Sequence, residues 1–226
     1  SVLGKTRSED IAHALPLLVA RERRQVFDLL GSHDLQAQVL SEVDDGLIQE
    51  LIEPMPIQAV VTILHEVAAD DVADIMAALG EDHVAKILEA MQDAESDEVE
   101  DLMGYDPESA GGIMSPDFFS LHRDTRVADA ITALQEQDDD VEMAFYVYVT
   151  NENGQLVGIV SLRQLVMSKP RKLLSEIMEH DCITVPLHAD QEEVAQIVAR
   201  YNFLAVPVVD EANKLLGIVT VDDIID

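Results

Sequence analysis

The sequence predicts an all-helical domain followed by an α/β domain that contains two copies of one structural unit. Three observations support this fold class. Apolar residues recur every three to four positions up to about Gly104. From Ile113 onward, β-rich runs alternate with helical segments. The α/β part also repeats its own short motifs in the same order. We therefore expect two compact parts in the 226 residues.

The first part is predicted to form short amphipathic helices that restart about every twelve residues. Glycines and prolines separate the segments. Helices this short are marginal alone and must stack on their neighbours. We therefore predict a superhelical array with about 24 residues per helical hairpin. The predicted segments are Val26–Leu30, Ala37–Val43, Leu47–Glu53, Ala59–Val67, Val72–Leu79 and Val84–Met91.

The second part contains an internal repeat. Ile113–Pro116 returns as Ile177–His180, and Gly158–Leu165 returns as Gly217–Ile224. Each copy is predicted to run through a leading segment, a helix, a strand, a turn, a strand and a helix. The two turns are rich in residues that tolerate tight turns, and they are Asn151–Gly154 and Asp210–Asn213.

The chain is strongly acidic, with 45 Asp and Glu residues against 14 Lys and Arg and a formal net charge of −31. Such a charge repels phosphate backbones, which argues against nucleic acid as a partner. Between Glu66 and Glu108 there are fifteen acidic residues, and Lys86 is the only basic one. This concentration indicates a cation ligand, and solubility or a halophilic habit is the alternative explanation.

Three further features bear on the setting of the protein. No apolar run reaches the roughly 18 residues that a membrane-spanning helix needs, so we expect a soluble chain. The sequence lacks an initiating Met and stops within a predicted helix, so we expect a fragment of a longer protein. The single cysteine, Cys182, excludes an internal disulfide framework and fits a reducing cytoplasm.

The repeat resembles the CBS motif over residues 112–226, because the Gly-Ile-Val-Ser/Thr element occurs twice in register. Pairs of CBS motifs form one compact module, the Bateman module. The junction Gly104–Pro116 is similar to the signature that joins the two domains of MgtE magnesium transporters. With the acidic helical array in front, this resemblance covers nearly the whole chain. It implies three segments: an N-type domain at 1–110, a first CBS motif at 111–172 and a second at 173–226.

The resemblance implies that the chain is the magnesium-sensing regulatory region of a magnesium transporter or channel. In this family a transmembrane pore domain follows, so we expect such a domain downstream and the chain at the cytoplasmic face of the cell membrane. The resemblance also implies a homodimer through the CBS modules. The alternative is an adenine-nucleotide-responsive CBS module that regulates another partner protein.

Candidate magnesium ligands come from both predicted parts of the chain. Asp70 and Asp74 are four residues apart on one predicted helix and share a face, which suits an ion that prefers oxygen ligands and keeps several waters. A solvated helix face is the alternative. The resemblance adds Asp223 and Asp226, and a backbone carbonyl at Gly111. Asp223 is alternatively a residue that complements a helix dipole.

One departure from the MgtE pattern concerns Asn202, where the family usually has Asp. An amide oxygen can ligate a metal but brings no charge, so a site that uses this position is expected to be weaker or missing. Cobalt and manganese share this oxygen-ligand chemistry, and the sequence does not separate them from magnesium.

Nucleotide binding is a further expectation. The resemblance places ATP at the first CBS copy, with Tyr146 as the aromatic contact and Arg163 near the phosphates. Tyr146 is alternatively a core strand residue, and Arg163 a surface residue. In this copy the ribose-binding Ser/Thr-x-x-Asp element ends in Gln164, so its acidic partner is absent. No catalytic or zinc-binding motif occurs in the sequence, which predicts that the chain is not an enzyme.

Overall fold

The computed structural model describes residues 6–136 and 146–225. The chain divides into two compact units, Ser1–Gly104 and Tyr105–Asp226, and each is described by itself. Among the described residues, no helix is both long enough and apolar enough to cross a lipid bilayer.

The first unit is a series of short helices, as predicted. A 3-10 turn, Leu15–Leu17, follows the first of them. The helices are α1 (Ser8–Ala14), α2 (Ala20–Asp28), α3 (His33–Ser41), α4 (Asp45–Ile52), α5 (Ile57–Leu64), α6 (Ala69–Ala77), α7 (Glu81–Ala90) and α8 (Asp93–Met103). From α3 to α8 each helix begins twelve residues after the previous one, which confirms the predicted period.

The helices of the first unit stack on their next-but-one neighbours. α1 contacts α3, α3 contacts α5 and α5 contacts α7, while α2 contacts α4 and α6 contacts α8. Each stacking repeat therefore contains two helices, which at twelve residues per helix gives the predicted repeat of about 24 residues. The apolar faces meet in a core whose fully buried members include Phe27, Leu40, Leu51, Ile63, Ile75, Met76 and Ile87. Burial of these faces stabilises helices that are too short to persist alone.

The second unit contains two copies of the same sequence of elements. The first copy consists of β1 (Ser120–His122), α9 (Val127–Gln135), β2 (Tyr146–Thr150), β3 (Leu156–Ser161) and α10 (Leu162–Met167). A 3-10 turn, Leu174–Glu176, connects it to the second copy. The second copy consists of β4 (Val185–Pro186), α11 (Gln191–Tyr201), β5 (Ala205–Val209), β6 (Leu215–Thr220) and α12 (Asp222–Ile225).

Each copy forms a three-stranded sheet with the same topology. β1 is parallel to β2, and β2 is antiparallel to β3; β4, β5 and β6 repeat this arrangement. The predicted turns connect the antiparallel strands, and Gly154 and Asn213 take positive φ angles of 75° and 61° there. The short strands β1 and β4 were not predicted, because two or three residues are too few to show a period of two.

The leading segments of the two copies are exchanged. Ser115 exchanges two backbone hydrogen bonds with Ile218 of the second copy, at 2.8 and 2.9 Å. Glu179 exchanges two with Ile159 of the first copy, at 2.9 and 3.0 Å. Each copy therefore completes the sheet of the other, and the two motifs fold as one module.

Glycines allow these exchanged segments to approach the sheets closely. A Cβ atom on Gly217 would lie 2.7 Å from the carbonyl oxygen of Ser115 and 2.8 Å from Sδ of Met114. A Cβ on Gly158 would collide in the same way with the side chain of Met178. The Gly-Ile-Val element of each copy thus begins with glycine because the other copy packs against that position.

Candidate functional site

Helix α6 presents acidic residues along one side of the first unit. Asp70 and Asp71 lie in its first turn, where negative charge is stabilised by the helix dipole, and Asp74 follows one turn later. Asp70 and Asp71 are half-buried, whereas Asp74 is exposed. Asp70 and Asp74 thus lie one turn apart on the same helix, as the sequence predicted. Metal binding by this pair stays a prediction.

A groove of about 350 Å³ runs beside α6 and collects three carboxylates. Asp71 and Asp74 line it from α6, and Asp45 lines it from the first turn of α4. Asp70 is not among the described residues that line this groove. The remaining wall is apolar or small, and its members are Leu40, Ser41, Val43, Ile48, Ile75, Ala77 and Ala78. Asp45 was not identified from the sequence, although it lies 26 residues before Asp71, close to one stacking repeat.

Gly111 lies in the segment that precedes the first copy. Its backbone N–H donates to the carbonyl oxygen of Leu187 at 2.9 Å. A Cβ atom at this position would lie 2.9 Å from Leu187 Cδ1 and 3.0 Å from Tyr105 Cγ. Close packing therefore accounts for a glycine here, and the predicted role of its carbonyl in metal binding stays a prediction.

Asp223 lies in the first turn of the last helix and caps it. Its Oδ2 accepts hydrogen bonds from the backbone N–H of Thr220 at 2.7 Å and from the Thr220 hydroxyl at 3.0 Å. This is the helix-terminal role that the sequence left as the alternative for Asp223. A metal contact by Asp223 stays a prediction, and Asp226 lies outside the described residues.

Gln164 performs the same capping in the first copy. Its Oε1 accepts from the backbone N–H and the hydroxyl of Ser161, both at 2.8 Å. Unlike a carboxylate, the amide also has a donor, and its Nε2 donates to Oε1 of Glu179 at 2.9 Å. Gln164 thus links its own copy to the leading segment of the other.

A cleft opens between the two copies near Tyr146. The described residues around it combine aromatic, aliphatic and acidic side chains: Tyr146, Ile159, Glu179, Asp181, Cys182, Ile183, Phe203, Ala205 and Pro207. Arg163 is exposed on α10 and is not among the described residues that line this cleft. The structure therefore places one of the two predicted nucleotide contacts, Tyr146, in the cleft wall.

Two groups beside this cleft are held in their neutral forms. Burial, with a smaller contribution from Glu179 and Asp181, raises the pKa of the Cys182 thiol from 9.0 to about 11. Burial likewise raises the pKa of Tyr148, whose hydroxyl has no hydrogen-bond partner among the described residues. Neither group is ionised near neutral pH, so neither adds to the negative charge of the two carboxylates of the cleft.

Asn202 ends helix α11 in the left-handed conformation, with φ of 53° and ψ of 45°. Asparagine tolerates this region better than most residues, which gives a local reason for Asn at this position. The following Phe203 stacks on Tyr201 with ring centroids 5.5 Å apart. The exposed Asn202 is thus one residue away from the cleft wall.

The chain combines a unit of short helices with a module of two repeated copies whose leading segments are exchanged. This combination defines the class of regulatory regions that consist of a helical domain followed by a CBS pair. Residues 6–108 match the family described as MgtE intracellular N domain, and residues 110–169 and 174–226 match the CBS domain family. The chain belongs to the MgtE family and comprises its N domain and tandem CBS pair. The predicted fold class is confirmed.

Several relatives support this assignment. The magnesium transporter MgtE of Thermus thermophilus is 38% identical over 160 residues, which are 70% of this chain and 36% of that protein. The magnesium transporter MgtE of Bacillus subtilis is 31% identical over 226 residues, which are 100% of this chain and 50% of that protein. The chain thus spans half or less of these curated relatives. Because the relatives are transporters, the prediction that the chain is not an enzyme is confirmed.

Solved structures agree over the full length. A crystal structure of the cytosolic domain of the Mg²⁺ channel MgtE in complex with ATP superimposes with a TM-score of 0.95 at 33% identity, covering 100% of this chain and 92% of that one. A crystal structure of the soluble part of a magnesium transporter gives a TM-score of 0.90 at 31% identity, covering 99% and 88%.

Proposed function

We propose that this chain senses magnesium and regulates a magnesium transporter or channel at the cytoplasmic face of the cell membrane. The two units close on bound Mg²⁺ and thereby gate a transmembrane pore domain of the same protein. The family supports this proposal, since the relatives are magnesium transporters. The groove beside α6 is the structural observation that carries it.

The donor set of this groove fits magnesium. Asp45, Asp71 and Asp74 contribute carboxylates from two helices, and no basic side chain occurs among the described residues of the wall. Mg²⁺ prefers oxygen ligands, is bound through one or two carboxylates and retains several waters. A groove of about 350 Å³ has room for such a hydrated ion. Asp70 is adjacent in the same helical turn and adds negative charge.

The second unit would contribute oxygen ligands from its end and from its beginning. Asp223 Oδ2 accepts from Thr220, and a carboxylate oxygen of Asp223 would make the monodentate contact that magnesium commonly makes. The Gly111 carbonyl and Asp226 complete the proposed set. In this scheme the carboxylates of the two units repel each other at low magnesium and share bound ions at high magnesium.

The magnitudes favour several weak sites over one tight site. An ion at ten times its dissociation constant stabilises the closed form by about 1.4 kcal/mol per site. Shifting an equilibrium from 1:99 to 99:1 requires about 5.5 kcal/mol. About four such sites per switching unit are therefore needed, which the acidic composition permits. A homodimer through the CBS modules would double the number of sites that act together.

Limited proteolysis across a millimolar magnesium series tests this function. We expect magnesium to protect the junction 104–115 from cleavage in the native chain. In the Asp71→Asn/Asp74→Asn variant we expect this protection to be lost. The matched control is Glu81→Gln/Asp82→Asn, which removes the same charge from the exposed first turn of α7. Cleavage that is indifferent to magnesium in all three proteins would exclude magnesium-driven closure.

Adenine-nucleotide binding in the cleft between the CBS copies is a second candidate function. Tyr146 and Phe203 offer aromatic surfaces for a base. The Tyr148 hydroxyl, which has no hydrogen-bond partner in the described part of the chain, lies in the core beside Tyr146 and Cys182. ATP is the ligand of the similar crystal structure. The carboxylates of Glu179 and Asp181 in the cleft wall would repel the phosphates of ATP. Arg163 would therefore have to contact the phosphates and supply the compensating positive charge.

Calorimetric titration separates this candidate from magnesium sensing. ATP binding that is weakened by Tyr146→Ala and Arg163→Ala would support a nucleotide site. The nucleotide candidate would be excluded if ATP failed to bind both with and without magnesium while magnesium still protected the chain from proteolysis. Magnesium sensing would then be the only candidate function that remains.

A further inference from the structure

Three metal-ligating side chains converge in the first copy of the repeat, and none of them lines the acidic groove or the cleft. They are His122, Asp124 and Glu152, and one ligand atom from each lies within 4.8 Å of the others. His122 Nδ1 is 3.9 Å from Asp124 Oδ2, and His122 Nε2 is 3.8 Å from Glu152 Oε1. The imidazole thus lies between two carboxylates from different loops.

The sheet topology explains this convergence. His122 ends β1 and Asp124 follows it, whereas Glu152 follows β2, the parallel neighbour of β1. His122 is the register partner of Thr150, two residues before Glu152. Residues that follow adjacent parallel strands emerge at the same edge of the sheet, so the three side chains share this edge.

Both loops are held by backbone and side-chain hydrogen bonds. The N–H of Arg123 donates to the carbonyl of Thr150 at 2.9 Å, and the N–H of Thr125 donates to the carbonyl of His122 at 2.9 Å. On the other loop, Oδ1 of Asn151 accepts from the backbone of Asn153 at 3.0 Å and of Gln155 at 3.1 Å. Hydrogen bonds therefore hold the two loops that carry the ligand residues before any ion binds, which reduces the entropy cost of assembling a site.

We propose that His122, Asp124 and Glu152 bind a divalent cation of the zinc class. Zinc takes one imidazole nitrogen and carboxylate oxygens in tetrahedral geometry, which requires ligand atoms about 3.4 Å apart. Nδ1 faces Asp124 and Nε2 faces Glu152, so an ion would bind one of the two nitrogens and the carboxylate on the other side would rotate toward it. All three side chains are partly or fully exposed and can rotate. Water completes the coordination.

The imidazole sets the choice of metal. Magnesium takes hard oxygen ligands, whereas imidazole suits zinc, cobalt and nickel. The site is therefore chemically distinct from the proposed magnesium sites, and it gives the chain a response to a second class of cation. This inference does not depend on the proposed magnesium function.

The second copy of the repeat supplies an internal control. By strand register, Pro186 occupies the position of His122, since Pro186 pairs with Val209 as His122 pairs with Thr150. The second copy does contain a His-x-Asp sequence, His188-Ala-Asp190, but there Asp190 caps helix α11 by accepting from the N–H of Glu192 at 2.8 Å. In this pair the Asp190 carboxylate is engaged in a helix cap, and His188 lies two residues beyond the position that corresponds to His122.

Zinc calorimetry on the whole 226-residue chain, in excess MgCl₂ to occupy oxygen-only sites, tests the proposal. We expect a single zinc ion per chain and a loss of affinity of about tenfold or more in His122→Ala. Glu152→Gln should also weaken binding, and His188→Ala should leave it unchanged. Cobalt should give visible absorption bands that shift or vanish in the same variants.

Two results would overturn the proposal. One is the absence of a zinc site in the native chain under these conditions. The other is zinc binding that His122→Ala and His188→Ala reduce equally or not at all, which would indicate diffuse binding to surface carboxylates. Circular dichroism of each variant excludes misfolding as the cause, because His122 and His188 are both surface side chains.

Discussion

The two CBS copies share a backbone and differ in the chemistry placed on it. In both, the antiparallel pair carries a register shift at the same place, between Val149 and Thr150 and between Val208 and Val209. In both, the residue three positions after Ser161 or Thr220 caps the following helix. The repeat therefore conserves the features that fold the module.

The side chains at equivalent positions are different. The cap is the neutral Gln164 in the first copy and the anionic Asp223 in the second. His122 of the first copy corresponds to Pro186 of the second. The comparison teaches that one backbone can carry different side-chain chemistry in its two copies, because that chemistry depends on a few positions that the fold leaves variable.

The largest expected effect concerns the glycines at which the copies meet. Gly217→Ala would bring a Cβ against the backbone carbonyl of Ser115, which cannot rotate away. The three atoms nearest a Cβ at Gly158 all belong to the side chain of Met178, whose outer atoms can rotate. We expect Gly217→Ala to lower the free energy of unfolding by about 1–3 kcal/mol, and Gly158→Ala by less. Urea denaturation of both variants measures the difference.

An equal or reversed effect of the two glycine substitutions would contradict this account of the exchanged segments. The matched control is Gly80→Ala, because nothing lies within 4 Å of a Cβ at Gly80.

A smaller effect is expected from making the two caps alike. Gln164→Asp keeps an acceptor for Ser161 but loses the hydrogen bond to Glu179 and places two carboxylates close together. We expect a loss of about 0.5–1 kcal/mol in unfolding free energy. Glu179→Gln in the same chain should restore most of it, which a double-mutant cycle measures. Additive effects would show that the two side chains do not interact.

The smallest effect concerns Cys182 in the cleft. Because its folded-state pKa of about 11 lies above the ordinary 9.0, the stability that comes from the neutral thiol is retained below pH 9.0 and is lost as pH rises toward 11. Alkylation of the native thiol by iodoacetamide should accelerate through about pH 11. The same chain in urea should show an ordinary profile, and identical profiles would contradict the assigned burial.

The helical array could be predicted because its apolar period is regular. Val72, Ile75, Met76 and Leu79 recur at helical spacing and are buried in the structure. The repeat was equally visible, since Gly158 and Gly217 open the same four-residue pattern in both copies. These features depend on local spacing, which a sequence displays directly.

The features that the sequence did not reveal depend on contacts between distant residues. Asp45 joins Asp71 and Asp74 only because α4 and α6 line the same groove. His122 and Glu152 are brought together by the pairing of β1 with β2, and β1 is too short to be predicted. The role of Gln164 as a link to Glu179 likewise required the exchange of leading segments.

The most direct test of magnesium sensing is small-angle X-ray scattering of the chain across a millimolar magnesium series. The account predicts that the radius of gyration falls as magnesium rises in the native protein and in Glu81→Gln/Asp82→Asn. It predicts little change in Asp71→Asn/Asp74→Asn. A radius of gyration that is the same at every magnesium concentration in the native chain would contradict the proposed closure.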